Sequence, residues 1–255
     1  MNNFSNTCLK EHTYIVTGAS SGIGRSAAVK ISECGGKVLI FGRDAERLKQ
    51  TFTALSGDLN HQMVTCDFKD ADQVADQIKG IVSQYGPING IFHASGMEFI
   101  MPARLTKQIN LNEVFGSSLF AAFGIARVMS QKDALIDGGS IVFMSSVASL
   151  TGQLGMTAYS ASKAGIDALV RSLACELSPR KIRVNSIASG AVDTMMHQRL
   201  TKNINEVSLE HYKNSHLLGF GTPDDIADAL IFLLSDASKW ITGTTMLVDG
   251  GYTVR

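Results

Sequence analysis

The stretch Tyr14-Ile-Val-Thr-Gly-Ala-Ser-Ser-Gly-Ile-Gly24 decides the fold. Its first four residues, Tyr14–Thr17, read as a short buried strand, and Ile23–Glu33 reads as a helix by its apolar spacing. Gly18, Gly22 and Gly24 lie between and within these elements, so the chain turns directly from strand into helix. Such a turn leaves backbone N–H groups and the positive end of a helix dipole facing outward, where a pyrophosphate can bind. The spacing is Gly-x-x-x-Gly-x-Gly, which differs from the commoner Gly-x-Gly-x-x-Gly dinucleotide fingerprint.

Outward from this turn, short apolar runs alternate with amphipathic stretches to the end of the chain. Strands are expected at Lys37–Phe41, Gln62–Cys66, Gly90–Ala94, Ser140–Ser145, Arg183–Ala188 and Thr245–Val248. Helices are expected at Ala45–Leu55, Asp72–Tyr85, Leu111–Met129, Tyr159–Ser178 and Pro223–Leu234. Seven strands alternating with helices predict an α/β fold: a Rossmann-type doubly wound sheet, mainly parallel, with helices on both faces. With no linker-like tract, residues 1–255 read as one domain. Segment 193–220 breaks the alternation and reads as an insertion that covers a substrate.

The totals exclude several classes. Lys+Arg and Asp+Glu both number 23, so the zero net charge offers nothing to nucleic acid or an anionic membrane. Four scattered cysteines (Cys8, Cys34, Cys66, Cys175) and the absence of C-x-x-C spacing argue against a metal site and a disulfide framework. The N-terminus lacks the pattern of a signal peptide, and no run suggests a membrane span. The expected setting is the cytoplasm.

Chemistry gathers at Tyr159-Ser-Ala-Ser-Lys163. Tyr and Lys four residues apart share one face of a helix. A phenol titrates near pH ~10, and a nearby ammonium favours the phenolate, which suits the Tyr to general acid–base work.

Together, Thr17–Gly24, Tyr159–Lys163 and the tail from Gly221-Thr-Pro-Asp-Asp through Thr242-Gly-Thr-Thr-Met-Leu-Val-Asp-Gly-Gly251 resemble the short-chain dehydrogenase/reductase family from about His12 to Tyr252. Within it the chain is most similar to carbonyl reductases of the β-ketoacyl-carrier-protein reductase type. The resemblance implies a catalytic Ser thirteen residues before the Tyr, which is Ser146, with Tyr159 as proton donor and Lys163 holding the cofactor ribose and depressing the Tyr pKa. It assigns cofactor contacts to Gly18, Ser20, Ser21, Gly22, Ile23, Gly24, Asp67, Ala94, Ser95, Gly96, Gly190, Val192 and Thr194, besides Tyr159 and Lys163. The second strand ends Phe41-Gly42-Arg43, with glycine where an NAD-type acid would stand and an Arg able to fork onto phosphate. NADP(H) is therefore favoured, with NAD(H) possible. Asp44 reads as the cap of the next helix.

Three positions depart from the family pattern. The family's Asn-Asn-Ala-Gly is His93-Ala-Ser-Gly96. His93 is expected at a strand end on the adenosine side and is not read as catalytic. The family's catalytic Asn aligns with Ser118, which can serve the proton relay through its backbone only if the helix is distorted there. The Pro of Asn-x-x-x-Pro-Gly is Ser189, a change expected to loosen that loop.

The leading expectation is an NADP(H)-dependent oxidoreductase interconverting a small-molecule ketone and a secondary alcohol. The competing one is an NADP(H)-binding sensor or scaffold without turnover. A homotetramer or homodimer is implied by the resemblance, and Glu98, Phe99, Gln153, Leu154, Met195 and Met196 are expected near the substrate.

Overall fold

The computed structural model describes residues 4–201 and 205–254. Residues 202–204, inside the expected 193–220 insertion, and residues 1–3 and 255 lie outside the described residues. The seven strands are β1 (Thr13–Thr17), β2 (Lys37–Gly42), β3 (Gln62–Thr65), β4 (Ile88–His93), β5 (Leu135–Ser146), β6 (Arg183–Ser189) and β7 (Thr245–Val248). They form one sheet in the order β3-β2-β1-β4-β5-β6-β7, and every pairing is parallel. The expectation of a mainly parallel sheet is thus met in full.

Alternation along each strand divides the core in two. Ile15, Leu39, Phe41, Ile141 and Phe143 face one layer, while Tyr14, Val16, Val38, Ile40 and Val142 face the other. The first layer is completed by α3 (Ala71–Tyr85), α5 (Ala121–Met129) and α6 (Thr157–Leu177). The second is completed by α1 (Gly22–Glu33), α2 (Ala45–Phe52) and α9 (Pro223–Leu234). Both faces of every central strand are buried, which is why these strands read as continuous apolar runs.

Boundaries follow local chemistry. Asp44 caps α2, accepting a hydrogen bond from the Arg47 N–H at 3.0 Å. Asp70 accepts from Asp72 and Gln73 at the start of α3, so Asp67 is left free of a capping role. Thr222 and Asp225 cap α9 reciprocally. The single long helix expected over Leu111–Met129 is instead α4 (Gln108–Phe115), a π-helical segment at Gly116–Phe120, and α5. The run Gln108–Met129 is long and apolar enough to cross a membrane by composition, against the sequence expectation. Half of its most apolar window is buried inside the protein, where Val114, Ala121, Ile125 and Val128 pack into the core.

Strand order reverses beside β1, which lies between β2 and β4. The crevice beyond the carboxyl ends of β1 and β4 is where a sheet of this type leaves room for a ligand. The glycine turn after β1 and the His93–Gly96 segment after β4 meet there. Segment 193–220 supplies α7 (Met195–Thr201) and α8 (Glu206–Asn214).

Candidate functional site

A cavity of about 700 Å³ runs from the glycine turn to α7 and α8. It is lined by every residue nominated above for cofactor binding or catalysis except Ser118.

At one end the walls are backbone. Gly18 has φ +66°, and a Cβ there would lie 2.9 Å from the Ala94 carbonyl and the Ser95 nitrogen. A Cβ on Gly24 would lie 2.3 Å from the Gly18 carbonyl oxygen. These positions therefore require glycine for φ and for closeness of approach. Ser21, the N-cap of α1, makes no side-chain cap bond, so the first-turn N–H groups remain available to an anion. The residues fit the pyrophosphate of a dinucleotide.

The adenosine end lies beyond β2. Gly42 is packed so that a Cβ would meet Ser20 Cβ at 3.2 Å, a tight contact that a side chain there would relieve only by moving Ser20 or Leu48. Arg43 and Arg47 both line the cavity there. Arg43 Nε lies 3.8 Å from Asp67 Oδ1, and Lys69 Nζ lies 3.6 Å from Asp67 Oδ2. Arg47 was not singled out in the sequence because its cap pairing with Asp44, at 3.4 Å, is the obvious reading of an Arg in a first helical turn.

At the other end, Ser146 closes β5 while Tyr159 and Lys163 rise from the first turns of α6. Lys163 Nζ sits 5.7 Å from the Tyr159 ring centroid and donates to the Met144 carbonyl at 2.9 Å. Burial raises the Tyr159 phenol above its ordinary value, Glu98 adds to the rise, and a hydrogen bond from Ser146 opposes it. Burial brings the Lys163 ammonium down to about 8, against the pull of Asp167 and Glu98. Burial is the largest cause of the phenol's rise, and the Lys163 ammonium is not among the groups that move it in this geometry. A phenol in this state holds its proton at neutral pH.

His93 corrects its expected placement. Its ring is buried, not on the adenosine side but between β1 and the π-segment. Thr17 Oγ1 donates to Nδ1 at 2.8 Å, and Nε2 donates to the Ser118 carbonyl at 3.2 Å. Burial and the nearby Lys163 lower its pKa to about 3, so the ring is neutral. Thr17 Oγ1 also accepts from the Ser95 N–H at 3.3 Å, completing a chain from the β4 exit to the π-segment. The distortion that Ser118 requires is present, yet its carbonyl already accepts from His93 and its hydroxyl is buried without a hydrogen-bond partner.

Ser189 keeps its contacts in the absence of the proline. It is paired within β6, and Gly190 N–H donates to the Val248 carbonyl at 3.1 Å. His216, unnoticed in the sequence, is nearly fully buried and holds the next residues. Its Nε2 accepts from Ala191 N–H at 3.1 Å and its Nδ1 donates to the Tyr212 carbonyl at 3.1 Å. Its ring stacks on Tyr252 at 4.7 Å, and Tyr212 and Phe220 complete an aromatic cluster beneath α7 and α8. Only a tertiary contact reveals this role, since a lone His among polar residues carries no sequence signal. Asp167, one turn beyond Lys163, was legible by spacing and was missed. Of the expected substrate neighbours, Glu98, Gln153, Met195 and Met196 line the cavity, whereas Phe99 does not and Leu154 is 99% exposed.

Comparison with known proteins agrees with this geometry. The family model described as enoyl-(acyl carrier protein) reductase matches residues 18–253. The 3-oxoacyl-[acyl-carrier-protein] reductase FabG of Chlamydia trachomatis is 32% identical over 245 residues, covering 95% of this chain and 98% of that protein. The mouse 3-oxoacyl-[acyl-carrier-protein] reductase is 34% identical over 237 residues, covering 92% and 95%. Among solved structures, a Beutenbergia cavernae protein provisionally described as an NAD(P) dependent gluconate 5-dehydrogenase, with NADP bound at low occupancy, superposes with a TM-score of 0.88. It is 27% identical and covers 98% of this chain and all of that one. The glycine turn, the reversed sheet order and these full-length likenesses lead to one conclusion: the chain belongs to the short-chain dehydrogenase/reductase family and is an oxidoreductase with an NAD(P)-binding fold.

Proposed function

We propose that the protein interconverts a ketone and a secondary alcohol with NADP(H), using Tyr159 as general acid and base. One observation carries this reading: Ser146, Tyr159 and Lys163 line the same cavity as the glycine turn and Arg43. A bound nicotinamide cofactor supplies or accepts the hydride. In reduction, Ser146 donates a hydrogen bond to the carbonyl oxygen, and Tyr159 passes its phenolic proton to that oxygen as charge develops. Lys163, pinned by Met144, faces the cofactor ribose, while Arg43 and Arg47 receive the adenosine phosphate. Glycine at position 42, in place of the acid that would grip two ribose hydroxyls, and Arg43 beside it in the cavity support NADP(H) over NAD(H).

Within the same reading, the segment around α7 and α8 covers the substrate, and His93 positions the π-segment in place of the family's asparagine. A homo-oligomer is supported by Phe120 and Phe123, which are 44% and 54% exposed on the π-segment and α5. None of the four cysteines forms a disulfide, which suits the cytoplasm.

The test is fluorescence titration of the purified protein with NADPH and with NADH, followed by turnover on a ketone panel. NADPH should bind more tightly, and Tyr159→Phe should lose about 10²–10⁴-fold in kcat with NADPH binding retained. NADH preference would remove the phosphate argument. NADPH binding with no turnover that Tyr159→Phe can diminish would favour a sensor.

A further inference from the structure

The mechanism above leaves Glu98, an ionisable group of the cavity, without a task. Glu98 lies two residues beyond Gly96 on the segment that leaves β4. That segment is tied at both ends: Ser95 N–H donates to Thr17 Oγ1 at 3.3 Å, and Met101 N–H donates to the Gly155 carbonyl at 2.8 Å. A Cβ on Gly96 would stand 3.5 Å from Lys163 Nζ, so the strap crosses directly over the catalytic helix. Glu98 is half-buried there and lines the cavity together with Tyr159, Lys163 and the lid residue Tyr212. Its carboxylate is within electrostatic reach of all three.

Among the described residues the Glu98 carboxylate is favoured only by the charge of Lys163. Among the described residues no hydrogen bond closes on it, and the one nearby cation, Lys163, spends a donor on Met144. Burial lifts it to about 7, and its charge works against the ionisation that Tyr159 needs for the oxidative direction. A group this costly at the reacting end of a cavity is relieved by a hydrogen-bond donor arriving with the ligand. An ammonium would suffer the nearby Lys163, whereas a hydroxyl would not. Gln153 gives its amide N–H to the Tyr252 oxygen at 3.1 Å, which leaves its carbonyl as a second acceptor in the same region.

We propose that Glu98 is a specificity-determining residue, and that the substrate carries a hydroxyl on the carbon next to the reacting one, as an α-hydroxyketone or a vicinal diol. This inference rests on the ketone/alcohol reading of the site. The hydroxyl donates to the Glu98 carboxylate while the neighbouring oxygen faces Ser146 and Tyr159. In that arrangement the hydroxyl replaces part of the solvation that the Glu98 carboxylate loses in the cavity.

The experiment uses the full chain with NADP⁺ and compares kcat/KM for 2,3-butanediol, 2-butanol and 3-amino-2-butanol. The diol should exceed the plain alcohol by about 10–100-fold, the range of a hydrogen bond to a charged group. In Glu98→Ala this diol-to-alcohol ratio should collapse toward one, and in Glu98→Gln, which keeps an acceptor, it should fall only in part. A ratio near one in the unaltered protein, or one unchanged in Glu98→Ala, overturns the proposal. Preference for the amino alcohol over the diol also overturns it, since the partner would then be a cation. If no alcohol is turned over, the ketone/alcohol reading fails, and the same ratio is measured as binding to the NADPH complex by cofactor fluorescence. Diol selectivity there that depends on Glu98 sustains the specificity role, and its absence overturns it.

Discussion

The two ends of the cavity are built from different materials. The end at Gly18–Gly24 is backbone: positive φ at Gly18 and Gly22, close approach of main chain to main chain, and free N–H groups at the start of α1. The end beneath α7 and α8 is side chain: His216 between Ala191 and Tyr212, Tyr252 stacked on His216, and Glu98 lining the cavity with Tyr159 and Lys163. A backbone surface tolerates no added atom but recognises any ligand with the right phosphate geometry. A side-chain surface accepts substitution and changes what it recognises. The first end suits an invariant part of a ligand and the second a variable one.

The comparison breaks most sharply at Gly18. Gly18→Ala combines a left-handed backbone with contacts of 2.9 Å to the Ala94–Ser95 peptide, atoms that cannot step aside. The expected cost is about 2–4 kcal/mol in chemical denaturation, with NADPH affinity lost in parallel. If binding and stability both survive, the turn is more pliable than its geometry implies and the contrast between the ends dissolves.

Glu98 gives the complementary case, a polar side chain that the fold would be more stable without. Its carboxyl titrates at about 7 in the folded protein against an ordinary 4.5. Between those values the folded state keeps a proton that the unfolded state has lost, so stability falls as pH rises through the window and stays lower above it. Glu98→Gln removes that dependence. Its stability relative to the parent should rise from pH 4.5 to 8, by on the order of 1–3 kcal/mol. A difference that is flat with pH would mean the carboxyl is well solvated.

His216→Ala sharpens the same contrast at a second side chain. It strips the acceptor from the Ala191 N–H and the stacking partner from Tyr252. About 1–3 kcal/mol of stability should go, and KM for the carbonyl substrate should rise more than KM for NADPH. Equal effects on both would show that the two ends share their supports.

This division also explains what could be read from the sequence. The sheet, Asp44 as a cap, the glycine turn and the Tyr159–Lys163 pair were legible because each depends on neighbours within about four residues. His216 and the buried placement of His93 were not, because each is defined by contacts from distant parts of the chain. The raised phenol of Tyr159 is of the same kind, since spacing places Lys163 near it but does not report the burial that lifts it. The interruption of the Leu111–Met129 helix lies between these cases. Gly116, where a Cβ would meet the Lys69 carbonyl at 2.8 Å, marks a close approach that no pattern of apolar residues announces.

The smallest expected effect falls at Ser118, where the sequence offered a catalytic candidate and the structure separates its two polar groups. The carbonyl is the acceptor for His93, and any residue would present it. The hydroxyl is buried with no hydrogen-bond partner, a desolvated group that brings no compensating bond. Ser118→Ala keeps the first and removes the second. It should therefore leave stability unchanged or raise it by up to about 1 kcal/mol, and should change kcat less than twofold. Ser118→Pro is no substitute, since it would alter the π-segment itself. A tenfold loss of kcat in Ser118→Ala, with stability retained, would instead assign the hydroxyl to the proton path from Lys163. The catalytic end would then depend on a side chain that the cavity does not reach, and its boundary would have to be drawn through the π-segment.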